Sequence, residues 1–137
     1  MVKTINSILL IDDDDATNFY NQMVLEEMGI AKKIYVMTSA EDALLLLKTP
    51  DENNHFITPN LIILDINMPG MDGWEFLEHY ESLEECMKAK FVIAMLTTSL
   101  NPDDKEKASQ LKIQAFMNKP LEKDQFLSLL NSLDDIK

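Results

Sequence analysis

Four consecutive aspartates follow an aliphatic run near the start of the chain, in the segment ILLIDDDDATN at residues 8–18. Two carboxylates about 5 Å apart repel each other by roughly 3 kcal/mol at an effective dielectric constant of ~20. Such a cluster needs either full solvation in a loop or a bound cation. Mg²⁺ takes oxygen ligands of this kind and keeps coordination positions for water or phosphate. The segment therefore predicts a metal site, with a solvated loop as the alternative.

Three further polar residues stand at the ends of apolar runs, where they could join these aspartates. Asp65 ends the run in LIILDINMPGMDG, Thr97 follows FVIAML, and Lys119 follows AFMN. A carboxylate can attack phosphorus and form an acyl phosphate. A lysine supplies a point charge for phosphoryl oxygens, and a hydroxyl can donate a hydrogen bond to them. Because phosphoryl transfer depends chiefly on positioning and charge neutralisation, these residue types predict that chemistry.

Five short apolar runs are predicted to be the strands that position these residues. They are rich in branched and aromatic side chains and do not alternate with polar residues, which is typical of strands covered on both faces. The predicted strands are residues 8–11, 34–37, 61–64, 91–96 and 115–117. Helical segments lie between them, and the predicted caps of the first, second and fourth helices are Asp15, Ser39 and Asn101. Gly29 is the predicted stop of the first helix.

Alternating strands and helices predict an α/β fold with a parallel sheet and helices on both faces. Right-handed crossovers then favour a doubly wound, five-stranded (βα)5 arrangement with the flavodoxin-like order 2-1-3-4-5. The length predicts one domain over residues 1–137. Ligands of such sheets bind at the carboxyl ends of the strands, beside the point where strand order reverses. The residues expected to meet on that rim are Asp12, Asp13, Asp65, Thr97 and Lys119.

This set of residues, in this order and at these strand ends, resembles response-regulator receiver domains over essentially the whole chain. The resemblance makes Asp65 the phosphoacceptor, Thr97 the switch hydroxyl and Phe116 the switch aromatic. It also implies that Lys119 is the family's lysine and that the peptide bond from Lys119 to Pro120 is cis. These roles are expectations carried by the resemblance and not by the spacing alone.

The resemblance also implies a Mg²⁺ cofactor. The ion would be held by Asp13, Asp65 and the backbone carbonyl of Asn67, with Asp12 acting largely through water. Gly70 and Gly73 in the MPGMDG stretch are both interpreted as turn residues.

The implied function is that of a phosphorylation-controlled protein in a two-component pathway. Asp65 would accept a phosphoryl group from a sensor histidine kinase or a histidine phosphotransfer protein. The chain would assist its own Mg²⁺-dependent phosphorylation and dephosphorylation, and would not be an enzyme acting on separate substrates. We expect a stand-alone receiver with no effector domain, whose output is a change of protein partner. The expected surface for that partner is the face formed by the fourth helix, the fifth strand and the fifth helix.

The composition argues against other classes of partner. The chain has 24 acidic residues and 12 basic ones, for a net charge of −12, and every basic residue is a lysine. Binding to nucleic acid or to an anionic membrane needs a basic surface, so neither partner is expected. The single Cys86 and the lack of a long apolar segment favour a cytoplasmic location.

Two other hypotheses stay open. A Mg²⁺-dependent phosphohydrolase would also use a carboxylate nucleophile, but Asn67 stands where such enzymes carry an acid–base aspartate. A receiver-like module that no longer takes phosphate is disfavoured because no member of the site is missing. A calcium-binding loop does not fit, because the sixth and twelfth positions counted from Asp12 are Thr17 and Met23 instead of Gly and Glu. Among other residues, His55 and His79 are predicted to be exposed, and Trp74 half-buried.

Overall fold

Parallel strands alternate with helices along the chain, in a computed structural model that describes residues 4–96, 102–111 and 113–136. The strands are β1 (Ile5–Ile11), β2 (Ala31–Met37), β3 (Leu61–Asp65), β4 (Phe91–Leu96) and β5 (Ala115–Asn118). The helices are α1 (Asp15–Met28), α2 (Ala40–Lys48), α3 (Gly73–Glu81), α4 (Pro102–Gln110) and α5 (Lys123–Ile136). A short 3₁₀ helix over Glu85–Met87 precedes β4.

The five strands form one sheet in the order β2-β1-β3-β4-β5, with every neighbouring pair parallel. The predicted α/β fold and strand order are therefore confirmed. β1 and β2 each begin three residues earlier than predicted, at Ile5 and Ala31. Polar residues take part in these early pairs, such as Ser7 opposite Lys33, so an apolar run alone underestimates the length of a strand that pairs at the sheet edge.

Alternate side chains of the central strands enter two hydrophobic cores, one on each face of the sheet. On one face, Leu9 and Leu64 pack with residues of α2 and α3. On the other face, Leu10 and Ile63 pack with residues of α1 and α5. All five residues of β3 are buried, which is expected of a central strand covered on both sides. The two cores hold the carboxyl ends of β1 and β3 side by side.

The cap of α1 differs by one residue from the prediction. Asp14, and not Asp15, accepts hydrogen bonds from the Thr17 backbone N–H at 2.9 Å and from the Thr17 hydroxyl at 2.6 Å. These bonds, the hydroxyl first, lower the pKa of Asp14. Asp15 lies in the first turn, where its charge still favours the positive end of the helix.

The other predicted helix ends have mixed outcomes. Gly29 ends α1 with φ of 63°, a left-handed conformation, and confirms the predicted stop. Ser39 caps α2 by accepting from the Asp42 backbone N–H at 3.1 Å. The predicted cap Asn101 lies outside the described residues.

Trp74 is more buried than predicted. Its side chain is 7% exposed and packs in the core beside α2 and α3, and the Lys107 ammonium of α4 lies 5.8 Å from its ring centroid. His55 and His79 are exposed, as predicted. No helix within residues 4–96, 102–111 and 113–136 is long and apolar enough to cross a membrane.

Candidate functional site

Three carboxylates and one ammonium converge at the carboxyl end of the sheet. Asp12 follows β1, Asp65 ends β3 and Lys119 follows β5, and the strands bring these distant segments to one rim. Asp12, Asp13 and Asp65 each offer an oxygen, and the three oxygens lie within 4.8 Å of one another. Asp12 and Asp65 are 4% and 2% exposed, whereas Asp13 is open to solvent. The cluster is therefore buried on one side and accessible on the other.

The turn after β1 holds Asp12 in place through several backbone contacts. Its Oδ1 accepts from the Asp14 backbone N–H at 2.9 Å, and its own N–H donates to the Met37 carbonyl at 3.2 Å. The side-chain Nδ2 of Asn18 donates to the Asp12 carbonyl at 2.7 Å. Because Asp12 is fixed at its side chain and its main chain, its orientation does not depend on a ligand.

Lys119 bridges the two buried carboxylates. Its Nζ lies 3.0 Å from Asp12 Oδ2 and 3.1 Å from Asp65 Oδ1. Burial by itself lowers the pKa of Lys119, but the hydrogen bonds to Asp12 and Asp65 outweigh burial and leave that pKa raised. The ammonium therefore stays charged and offsets part of the repulsion between the carboxylates. The Lys119–Pro120 peptide is cis, as the resemblance implies.

The environment of Asp65 raises its pKa to about 6. The largest cause is burial, the second is the negative charge of Asp12, and the Lys119 ammonium opposes both. The backbone N–H of Asn67 donates to Asp65 Oδ1 at 3.2 Å, so this contact and that of Lys119 fall on the same oxygen. Asp65 is thus a carboxylate at neutral pH that gains strongly from an additional positive charge.

Gly73 is required by close packing behind Asp65 and not by a turn. A Cβ on Gly73 would lie 2.6 Å from Ile66 Cα and 2.9 Å from the Asp65 carbonyl oxygen. Gly73 is the first residue of α3, and its N–H donates to the Ile66 carbonyl at 2.9 Å. The turn interpretation was wrong here, although it holds for Gly70, whose φ is 72°. The absence of a side chain lets α3 begin directly against the end of β3.

Two buried polar residues near the site were not singled out from the sequence. Asn18 and Asn21 lie on the inner side of α1 and are 3% and 4% exposed. A signal was present, because both positions fall on the same helical stripe as the buried Leu25. Polar residues on an apolar stripe are uncommon unless they are paired.

The remaining predicted site residues are Phe116, Thr97 and Asn67. Phe116 is partly buried on β5 and packs against the core beside α2 and α3. It also borders a cleft of about 440 Å³ between β5 and α5, together with Leu129. Thr97 lies outside the described residues, so its role stays a prediction. The Asn67 N–H contacts Asp65, and the metal-binding role of the Asn67 carbonyl also stays a prediction.

The donor set of this cluster fits a hard divalent cation. Asp12, Asp13 and Asp65 supply carboxylate oxygens, which suit Mg²⁺, and the cluster contains neither the thiolates nor the imidazoles that favour zinc. The exposed Asp13 gives an ion a path from solvent. A cation bound here would relieve the repulsion that raises the pKa of Asp65.

Comparisons with known proteins agree with this arrangement. A family model described as the response regulator receiver domain matches residues 8–131. The response regulator Rcp1 of Synechocystis sp. is 30% identical over 112 residues, which cover 82% of this chain and 75% of that protein. A two-component response regulator from Cytophaga hutchinsonii has a TM-score of 0.80 at 30% identity, covering 97% of this chain and 99% of that one. One from Legionella pneumophila has a TM-score of 0.79 at 28% identity, covering 95% and 98%.

Proposed function

Because this chain belongs to the response regulator receiver family, we propose that Asp65 is its phosphoacceptor. Receiver domains interact with histidine kinases or phosphotransfer proteins, so the donor is a phosphohistidine on a protein of either class. In the transfer, the bond from phosphorus to the histidine nitrogen breaks as a bond from phosphorus to an Asp65 oxygen forms. The imidazole leaves with the electron pair, and the product on Asp65 is an acyl phosphate.

The hydrogen bonds that their carboxylate oxygens accept favour Asp65 over Asp12 as the phosphoacceptor. Both oxygens of Asp12 accept hydrogen bonds, Oδ1 from the Asp14 N–H and Oδ2 from Lys119. The contacts that the described residues make with the Asp65 carboxylate both fall on Oδ1. Its Oδ2 is left as the oxygen that can attack phosphorus. Asp65 therefore combines burial, which limits competing hydration, with an available nucleophilic atom.

Receiver domains generally bind Mg²⁺ at an acidic pocket, and we assign that role here to the side chains of Asp13 and Asp65 and the carbonyl of Asn67. Asp12 acts on the ion largely through water, since both of its oxygens already have partners in the protein. When bound, Mg²⁺ neutralises the carboxylates and the phosphoryl oxygens. The protein's own contribution is to hold these ligands in place, through the turn after β1 and the packing of Gly73 behind β3.

Lys119 would stay beside Asp65 and attract the incoming phosphoryl oxygens as a point charge. The Thr97 hydroxyl would donate to the same oxygens after transfer. Phe116 would then turn inward, and the cleft of about 440 Å³ between β5 and α5 would change shape. This change on the face of α4, β5 and α5 is the proposed signal to a downstream protein, a local electrostatic event with a structural output.

Phosphorylation by a small donor tests this proposal directly. With Mg²⁺ and acetyl phosphate, the wild-type chain should gain one phosphoryl group by intact-mass spectrometry, and Asp65→Asn should gain none. Asp14→Asn is the matched control, because asparagine also caps helices and residue 14 lies outside the cluster, so this variant should be labelled normally. No label on the wild type, or equal label on Asp65→Asn, would contradict the assignment.

We also propose that the chain acts on no separate substrate. Its chemistry is limited to gaining and losing the phosphoryl group on Asp65. A steady release of product from a generic phosphate ester, beyond one equivalent per chain, would contradict this and favour the phosphohydrolase hypothesis.

A further inference from the structure

Asn18 and Asn21, one helical turn apart on α1, each carry a buried acceptor without a donor. The Oδ1 atom of each residue receives no hydrogen bond from the part of the chain that the structure describes. Burial of an unpaired acceptor is unfavourable, so such an atom in a folded protein calls for an explanation. The closed gap that both residues share with Asp12 and Asp65 has no room for a water molecule.

The two asparagines differ in how they are held. Asn18 is oriented by its Nδ2, which donates to the Asp12 carbonyl at 2.7 Å, and this bond stabilises the turn after β1. Asn21 has no comparable contact with the turn. It lines, in addition to the closed gap, a mostly apolar cleft of about 380 Å³ between α1 and the segment after β5. The polar residues that line this cleft with it are Thr17, Tyr20 and Lys119.

Among the polar residues that line this cleft, Lys119 carries one more N–H group than its two carboxylate contacts require. The Thr17 hydroxyl donates to Asp14 Oδ2 at 2.6 Å, and the Tyr20 hydroxyl donates to the Leu121 carbonyl at 3.3 Å. An ammonium has three N–H groups, and Lys119 directs two of them at the carboxylates. Among the described residues that line the cleft, Lys119 is therefore the natural partner for an acceptor without a donor.

We propose that Asn21 is a positioning residue that receives the Lys119 ammonium when Mg²⁺ occupies the carboxylates. This inference rests on the proposed function, because it requires Mg²⁺ to bind Asp13 and Asp65, with Asp12 reached through water. Lys119 now holds Asp12 Oδ2 and Asp65 Oδ1, so Mg²⁺ and its bound water would compete with the ammonium for these two carboxylates. The Lys119 side chain is 19% exposed and cannot rely on solvent alone once it is displaced. Asn21 lines the same cleft, and its buried Oδ1 is a protein acceptor that has no donor among the described residues.

A neutral amide suits this role better than the alternatives. A carboxylate at position 21 would add a fourth negative charge and would compete for both Lys119 and Mg²⁺. A leucine or valine would leave the displaced ammonium with one acceptor fewer, and metal binding would then be weaker. The amide oxygen holds the ammonium close to Asp65, so the lysine remains within reach of an incoming phosphoryl group.

The test compares two nearly isosteric variants, Asn21→Val and Asn21→Thr, of which the second keeps an oxygen acceptor. Calorimetric titration with Mg²⁺ should give about fivefold weaker binding for Asn21→Val and a change within about twofold for Asn21→Thr. The metal-free Asn21→Val variant should unfold at the same denaturant concentration as the wild type or a higher one, because an unpaired buried acceptor has been removed. A merely structural asparagine predicts altered stability with unchanged Mg²⁺ affinity.

The Lys119→Met background distinguishes the loss of the contact between Asn21 and Lys119 from the loss of the metal site itself. In Lys119→Met, replacing Asn21 with valine should leave Mg²⁺ affinity unchanged, because the donor is absent. Equal Mg²⁺ affinity of the wild type and Asn21→Val overturns the inference, as does a loss that persists in the Lys119→Met background. Failure of the wild type to bind Mg²⁺ overturns the metal site itself, and with it this inference.

If Asn21→Val does not fold, the wild type still gives an answer. The side-chain amide resonance of Asn21 should shift during a Mg²⁺ titration followed by NMR, and this shift should be much reduced in Lys119→Met. An unmoved Asn21 resonance, or an equal shift in the two proteins, overturns the proposed role.

Discussion

At the amino end of the sheet, the side chain of Asn60 accepts hydrogen bonds from the backbone N–H groups of Asn6 at 3.0 Å and Ser7 at 3.2 Å. At the carboxyl end, the buried Oδ1 of Asn21 has no donor among the described residues, and the Lys119 ammonium contacts two carboxylates at once. The asparagine oxygen thus accepts two hydrogen bonds at one end of the sheet and none from the described residues at the other. The difference separates a part of the molecule that only holds the fold together from a part that is ready for a ligand.

Polar groups at the amino end of the sheet are hydrogen-bonded at other positions as well. The Tyr80 hydroxyl accepts from the Ala89 N–H at 2.7 Å, and burial raises the pKa of Tyr80 to about 12. The Thr58 hydroxyl donates to the Cys86 carbonyl at 2.6 Å. The first contact joins α3 to the residues before β4, and the second joins the segments that precede β3 and β4. A paired polar group contributes to stability, whereas an unpaired one keeps a site responsive to added charge.

The largest expected effect is that of Gly73→Ala at the carboxyl end. Its Cβ would clash with the backbone of Ile66 and the carbonyl of Asp65, and backbone atoms cannot move aside as a flexible side chain can. We expect a loss of about 3 kcal/mol in unfolding free energy, measured by urea denaturation, together with slower phosphorylation of Asp65. Gly29→Ala is the control, since its Cβ would meet nothing and only its φ of 63° is strained, so phosphorylation should be unaffected. A wild-type stability for Gly73→Ala would contradict the close approach.

Asn60→Ala should have the next largest effect, at the amino end. Two backbone N–H groups lose their acceptor, which we expect to lower the unfolding free energy by about 2 kcal/mol. Mg²⁺ affinity should stay within about twofold of the wild type, because the substitution lies at the other end of the strands. A strong loss of Mg²⁺ binding in this variant would show that the two ends are coupled and that the amino end does more than stabilise the fold.

The pH dependence of Mg²⁺ binding should be specific to the carboxyl end. The pKa of Asp65 is raised to about 6, so a proton competes with the metal below that pH. We expect Mg²⁺ affinity to rise about tenfold between pH 5 and pH 7 and then to level off. Calorimetric titration at several pH values checks this, and Asp65→Asn should show weaker binding with a flatter profile. A wild-type affinity that does not change over this range would refute the raised pKa.

The same raised pKa has a consequence for stability without metal. Between about pH 4 and pH 6, the folded chain keeps a proton on Asp65 that the unfolded chain has already released. Folding is linked to proton uptake in that range, so the contribution of Asp65 to stability declines as the pH rises through it. Above about pH 6 the decline from this group is complete.

Tyr80→Phe should have the smallest effect of the series. The ring remains packed in the core and stacked with Phe76, but the Ala89 N–H loses its acceptor. We expect a loss of about 1 kcal/mol in unfolding free energy with unchanged phosphorylation. An altered rate of phosphorylation would extend the functional region beyond the carboxyl end of the sheet.

The amino-acid sequence by itself predicted the strand order and most of the strand-end residues. Asp12, Asp65 and Lys119 each follow an uninterrupted apolar run, and the carboxyl ends of parallel strands necessarily share one edge of a sheet. This inference needs only local pattern and topology. Thr97 also follows an apolar run, but it lies outside the described residues, so its place at this edge stays a prediction.

Other features could be decided only by the tertiary structure, because they depend on distances between atoms far apart in the sequence. Lys119 lies 107 positions from Asp12, and its bridging contact follows from how three strand ends pack together. The raised pKa of Asp65 results mainly from burial, which no local pattern measures. The close approach at Gly73 and the unpaired acceptor of Asn21 have the same origin. Solvent exclusion and close contact are properties of the assembled molecule, whereas periodicity and residue type are properties of the chain.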